Sequence, residues 1–97
     1  MPDLSAEQFE MVHPKEIGYL QSRDYPGTLK DLKFDPKGEH AAKVKGIMES
    51  AKTEGIREPL DVRMGPGTPY LSDGHHRWMA AKKLNIQVPV KRTGGGY

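Results

Sequence analysis

The chain has 97 residues, 35% of them hydrophobic and 29% charged, with a net charge of +2 and no cysteine. That length holds one small domain, and the balance of apolar and charged residues belongs to a folded chain rather than a disordered one. The lack of cysteine excludes disulfides, thiolate chemistry and cysteine-ligated metals, and a charge this close to neutral is no argument for nucleic acid by itself.

Residues 1–8 read as a flexible leader, with the spacing of a capping box between Ser5 and Gln8. Residues 9–12 predict a short strand and His13-Pro14 a turn. Ile17 and Leu20 have helical spacing within 15–21, although Gly18 weakens that helix. Residues 22–38 carry turn chemistry throughout, from Tyr25-Pro26-Gly27 to Asp35-Pro36-Lys37-Gly38. The strongest helix is 39–54, where Val44, Ile47, Met48 and Ala51 keep one apolar face and Gly55 supplies the stop.

At Gly55 the apolar period changes from helical to alternating. Leu60, Val62 and Met64 alternate with Asp61 and Arg63, which predicts a strand with one buried face and the 39–54 helix packed on its sheet. A loop from Gly65 to Pro69 leads to a second, neighbouring strand at 70–72. A helix over 76–84, ended by Asn85, and a last strand at 88–90 follow, and 94–97 reads as a flexible tail. No repeat divides the chain, so 9–93 is expected to form a single α+β domain with a short mixed sheet and two principal helices. No apolar run approaches the roughly 18 residues of a membrane span, and Met1-Pro2-Asp3 has no signal-peptide character. The expectation is a cytoplasmic protein with no membrane partner.

The chemistry concentrates at Asp73-Gly74-His75-His76-Arg77, between a predicted strand and a predicted helix. A helix start leaves backbone N–H groups unpaired and carries partial positive charge, so it attracts anions. Gly74 permits close backbone approach, and Arg77 can hold phosphate bidentately. The same residues have plainer uses: Asp73 as a helix cap, Gly74 as a turn residue, the histidines as solvated side chains. Arg77 favours the phosphate elbow, because its helical position beside Ala81 and Leu84 sets a charge next to the core. Such a charge wants a partner, either a bound phosphate or an internal carboxylate such as Asp61 or Asp73. From Gly74 to Tyr97 there are five basic residues and no acidic one, which agrees with an anionic partner and equally with a solvated helix face.

Other chemistry is less well supplied. His75 and His76 diverge by about 100° on a helix and cannot easily grip one metal, and His13 and His40 lack ligand spacing, so no metal site is expected. Asp61 and Asp73, on neighbouring strands, could approach each other to hold a divalent ion for nuclease chemistry, but surface and capping uses suit both. Trp78 could stack on a base or pack at the helix–sheet boundary, and packing is the commoner use.

Three collinear blocks resemble the ParB/sulfiredoxin superfamily. The first is Lys43-Val44 through Ser50, then Glu54-Gly55-Ile56-Arg57-Glu58-Pro59-Leu60-Asp61-Val62-Arg63; the second is Asp73-Gly74-His75-His76-Arg77-Trp78 with Ala80-Ala81; the third is Leu84 through Val88-Pro89-Val90. Together they cover about half the chain, and Val12-His13-Pro14 fits the family's opening strand. The resemblance implies the superfamily's fold and an elbow in which Gly74, His75, His76 and Arg77 bind phosphate. It also implies contacts to a nucleotide from Lys43 and Ser50, which a solvated lysine and an ordinary helix serine would explain equally well. Sulfiredoxins carry a catalytic cysteine where this chain has His75, so thiolate repair of sulfinic acid is excluded. Segregation ParB proteins continue into a helix-turn-helix DNA-binding domain, and sequence-specific centromere binding is not expected of these residues.

Free serine kinases of the superfamily carry an elbow that Asp73–Arg77 matches residue for residue. Their N-terminal catalytic carboxylate has Glu16 as its nearest candidate here. The expected function is therefore binding the phosphates of a nucleotide or nucleic acid, with ATP, CTP or ADP and Mg2+ as the implied cofactors. If phosphate is transferred, Asp73 or Glu16 is the expected base or magnesium contact. The alternatives are a small-molecule phosphotransferase, or an interaction protein, such as one from a mobile element, that binds a partner protein and keeps only a vestigial elbow.

Overall fold

The alternating segment builds the centre of the sheet. In the computed structural model, which describes residues 9–94, strand β3 (Leu60–Arg63) lies between β4 (Tyr70–Asp73) and β5 (Val88–Thr93). β3 runs antiparallel to β4 and parallel to β5. β1 (Glu10–Val12) pairs antiparallel with the far side of β5, and β2 (Gln21–Ser22) pairs parallel with β4. The five-stranded mixed sheet has the order β1-β5-β3-β4-β2. The expected leader and all of the tail beyond Gly94 lie outside the described residues.

Helix α1 (Glu39–Glu54) stops where predicted: Gly55 has φ of 72°, in the region that glycine enters without a Cβ clash. Helix α2 (His75–Leu84) ends at Asn85 in a left-handed conformation. α1 packs chiefly on α2. It reaches the shared core through Val44 and Ala51, which join Leu60, Val62, Leu71, Val88 and Val90 of the strands. The intervening layer is α2, whose Trp78, Met79, Ala80 and Ala81 are all buried.

The N-terminal third departs most from expectation. Segment 15–21 forms only a 3-10 turn, Pro14–Ile17, whose N–H of Lys15 donates to His13 Nδ1 at 3.2 Å. Pro14 offers no N–H and so favours a first turn, and Gly18 weakens any longer helix. The chain then enters β2, which two residues without a period could not announce. Residues 22–38 are irregular as predicted, yet Leu29 and Leu32 are buried in the core and a second 3-10 turn spans Leu29–Asp31. β5 continues past Val90, because residues 91–93 extend the parallel ladder opposite Asp61, Val62 and Arg63.

Both ends of α2 are tied to the turn at residues 13–14. Trp78 is 1% exposed and its Nε1–H donates to the Pro14 carbonyl at 2.9 Å, the packing role. At the other end His13 Nε2 lies 2.7 Å from Asn85 Oδ1.

Candidate functional site

The elbow joins β4 to α2 through one residue. Gly74 is the N-cap of α2 with φ of 106°, and Asp73 is the last residue of β4, making no capping bond to the helix. The capping use considered for Asp73 is therefore wrong, and α2 begins at His75, one residue early. Strand geometry carries Asp73 outward, and the backbone reverses at Gly74 before any side chain could cap. In an α-helix the N–H groups of His75, His76 and Arg77 have no intrahelical acceptor, and the N–H of Trp78 is the first to bond back, to Gly74 at 2.8 Å.

The two histidines part company. His75 is 4% exposed and turns to β2, with Nε2 2.6 Å from Ser22 Oγ, a T-shaped ring contact to Tyr25 and Nδ1 3.9 Å from Asp24. His76 faces the opposite way, toward α1, and its Nε2 lies 2.8 Å from His40 Nδ1. Phe34 packs its ring nearly parallel to both imidazoles, at centroid distances of 5.1 and 5.2 Å. Sequence spacing gave no hint of the His40–His76 pair, since the partners sit on different helices.

Burial lowers the pKa of both histidines. For His75 desolvation leads, opposed by Asp24; for His76 desolvation is joined by the positive potentials of His40, Lys43 and Arg77. A histidine held neutral by its fold takes up a proton more readily when unfolded. Stability contributed this way is present above the unfolded value of about 6.5 and is lost as pH falls from there toward the depressed folded value. Thermal melts between pH 7.5 and 5.5 should show the midpoint falling on acidification. His76→Gln should flatten part of that dependence, and an unchanged slope would place the proton uptake elsewhere.

Arg77 is the polar centre of the elbow. Its side chain is 19% exposed, Nη1 donates to Glu58 at 2.6 Å and Nη2 to Asp73 at 3.4 Å. Both carboxylates are about four-fifths exposed, at 79% and 80%. Nε is buried without a hydrogen-bond partner. Asp73 was one of the two internal partners expected; the other, Asp61, instead accepts from Thr93 Oγ1 at 3.1 Å and lies 3.6 Å from Arg63. Glu58 replaces it, reaching Arg77 from the loop before β3. Asp61 and Asp73 are paired in the β3–β4 register, as neighbouring strands allow, but each is engaged with a different cation.

Beside Arg77 opens a cleft of about 640 Å³ between α1, the 54–58 segment and the start of α2. Lys43, Gly46 and Ser50 line it from α1, and His76 and Arg77 from α2, with Arg57 and Glu58 at its edge. Four expected site residues, Lys43, Ser50, His76 and Arg77, thus share one cavity. Gly74 underlies the elbow, and Asp73, His75 and Glu16 are not among the lining residues; Asp73 reaches the site only through Arg77, and Glu16 is exposed on the 3-10 turn. Gly46 is a residue whose part the sequence did not reveal. A Cβ there would meet nothing within 4 Å, so the helix carries a glycine, costing about 1 kcal/mol against alanine, where packing does not require one. Among the described residues no group of three or more His, Asp or Glu is placed to hold a metal ion.

Two helices over a small mixed sheet, with a glycine elbow leading from a strand into α2, are an arrangement this chain shares with the sulfiredoxin fold. A sulfiredoxin from Arabidopsis thaliana superposes with a TM-score of 0.62 at 23% identity, over 92% of this chain and 88% of that one. No protein-family model matches the chain, and no curated protein matches it by sequence. Among the described residues no helix is long and apolar enough to cross a membrane.

Proposed function

We propose that the domain binds the phosphate groups of a nucleotide or nucleic acid in the α1–α2 cleft. The observation that carries this is the convergence of Lys43, Ser50, His76 and Arg77 on one cavity beside the unpaired N–H groups at the start of α2. Arg77 has a buried Nε still lacking an acceptor, and the planar guanidinium can bind phosphate bidentately, whereas each carboxylate now meets it through a single terminal nitrogen. The open helix wall at Gly46 gives a ligand room to approach the α1 backbone. The cavity volume falls within the roughly 300–1,000 Å³ of ordinary ligand pockets.

Mg2+ fits this donor set as a companion of the phosphates, with Asp73 or Glu58 as a protein ligand, because magnesium is commonly held by one or two carboxylates plus substrate phosphates. The ion would neutralise phosphate charge. Asp73 is the carboxylate fixed beside the elbow, which makes it the residue that would accept a proton from, or orient, an attacking hydroxyl if phosphate is transferred. Glu16, which does not line the cleft, has the weaker claim.

A thermal-shift screen with ATP, CTP and ADP, each with and without Mg2+, tests the proposal. At least one should raise the melting temperature. Unchanged melting with all of them would overturn nucleotide binding. Asp73→Asn, scored in the same screen and in a phosphate-release assay, should keep the shift and remove any turnover; turnover that persists would move the chemistry to another residue.

A further inference from the structure

A second cavity lies on the opposite side of α1 from the phosphate cleft. Its volume is about 590 Å³, and it is walled by residues 30–36, α1 and α2. The floor is apolar and firmly backed: Leu32, Val44 and Met79 are buried members of the core, and Met48 is partly buried against it. The rim carries Lys30, Lys33, Lys45, Lys82 and Lys83, and no Asp or Glu lines the groove. Among the described residues none of these five lysines has an ion pair, and Lys82 rests over the Trp78 ring at 5.2 Å.

The two carboxylates nearest in sequence are occupied locally. Asp31 accepts from Thr28 Oγ1 and Asp35 from the N–H of Lys37, each at 2.9 Å. Among the described residues the lysines thus stand without a carboxylate partner around an apolar trough, an arrangement whose complement is a ligand bearing several separated negative charges beside apolar side chains.

We propose that this groove docks an acidic amphipathic peptide segment of a partner protein. Charges on three different chain segments suit several carboxylates spaced along a peptide, where a single anionic headgroup would use one or two of them. A nucleic acid fits less well. The rim has no arginine for bidentate phosphate contacts, and the lone aromatic of the lining, Phe34, is already packed against His40 and His76 and offers no free stacking platform. A floor with two methionines adapts to apolar side chains of varied shape. The phosphate cleft uses the other face of α1, through Lys43, Gly46 and Ser50, so the docking site stands whether or not that cleft binds a nucleotide.

The test is an NMR titration of the isotope-labelled full chain with a synthetic helix-forming peptide of glutamates and leucines. Its controls are the same peptide with Gln for Glu, the same peptide with Ser for Leu, and a single-stranded oligonucleotide. The parent peptide should shift amides of residues 30–35, 41–48 and 79–83. Each peptide control should bind at least about tenfold more weakly, as should the parent peptide on Lys33→Glu/Lys45→Glu, both exposed positions. Any of three results would overturn the proposal: no shifts with the parent peptide at about millimolar concentration, equal binding by the Ser-for-Leu peptide, or tighter binding of the oligonucleotide at these residues. Because the peptide controls leave the protein unaltered, a misfolded variant cannot decide the outcome.

Discussion

Gly74→Ala should cost the protein about 2–5 kcal/mol of unfolding free energy, the largest stability loss expected from a single methyl group in this chain. Two penalties add. At φ of 106° an L side chain is strained whatever the space around it. The new Cβ would also lie 2.5 Å from Leu60 Cδ2, 3.1 Å from an Arg77 terminal nitrogen and 3.3 Å from Leu60 Cα. The leucine is fully buried at the centre of the sheet and one of its close atoms is backbone, so the clash cannot be relieved by a rotamer change alone. Denaturant titration of wild type and variant measures the difference. A loss under about 1 kcal/mol would mean that α2 and β3 can separate at little cost, against the close packing described.

Arg77→Ala should behave in the reverse manner, with a small effect on the free protein and a large one on the liganded protein. The two carboxylates it leaves behind are mostly in water and return to ordinary hydration, and exposed ion pairs contribute little. Removing a buried Nε that has no acceptor also removes a penalty. With nucleotide at about one hundred times its dissociation constant, wild type gains about 2.7 kcal/mol, roughly a 10–20 °C rise in melting temperature for a domain this size. The variant should gain almost none of it. Arg77→Lys keeps the charge without the planar fork and should recover only part. Equal nucleotide-induced shifts in wild type and Arg77→Ala would take the ligand away from the elbow.

What could be seen in the sequence followed how local each signal was. The apolar faces of α1 and β3 repeat within their own segments, and the stops at Gly55 and Asn85 are single-residue chemistry, so all four were visible. The elbow was visible because strand, glycine and helix start are contiguous. That Arg77 sits against the core and needs a partner followed from helical spacing alone. The identity of that partner did not: Glu58 lies 19 positions away in a loop whose path no pattern describes. The separation of His75 from His76 was expected from helix geometry, but where each would go depended on β2 and on His40, and a two-residue strand has no periodicity to read. Lys43 and Ser50 drew attention only through family resemblance, and a common cavity is a stronger reason to consider them together.

The place of β5 in the sheet governs how this chain can acquire its structure. β5 is the last strand in sequence, yet it sits between β1 and β3, and Arg92 meets Glu10 across 82 positions. Until β5 arrives, β1 has no neighbour within the sheet and β3 lacks one of its two. A ribosome delivers the residues in order, so both helices and four strands emerge before the strand that unites them. The nascent chain must hold an open seam until β5 emerges, and closing so long a loop slows folding. During synthesis the exposed flanks of β1 and β3 are the places where a neighbouring chain could pair by mistake.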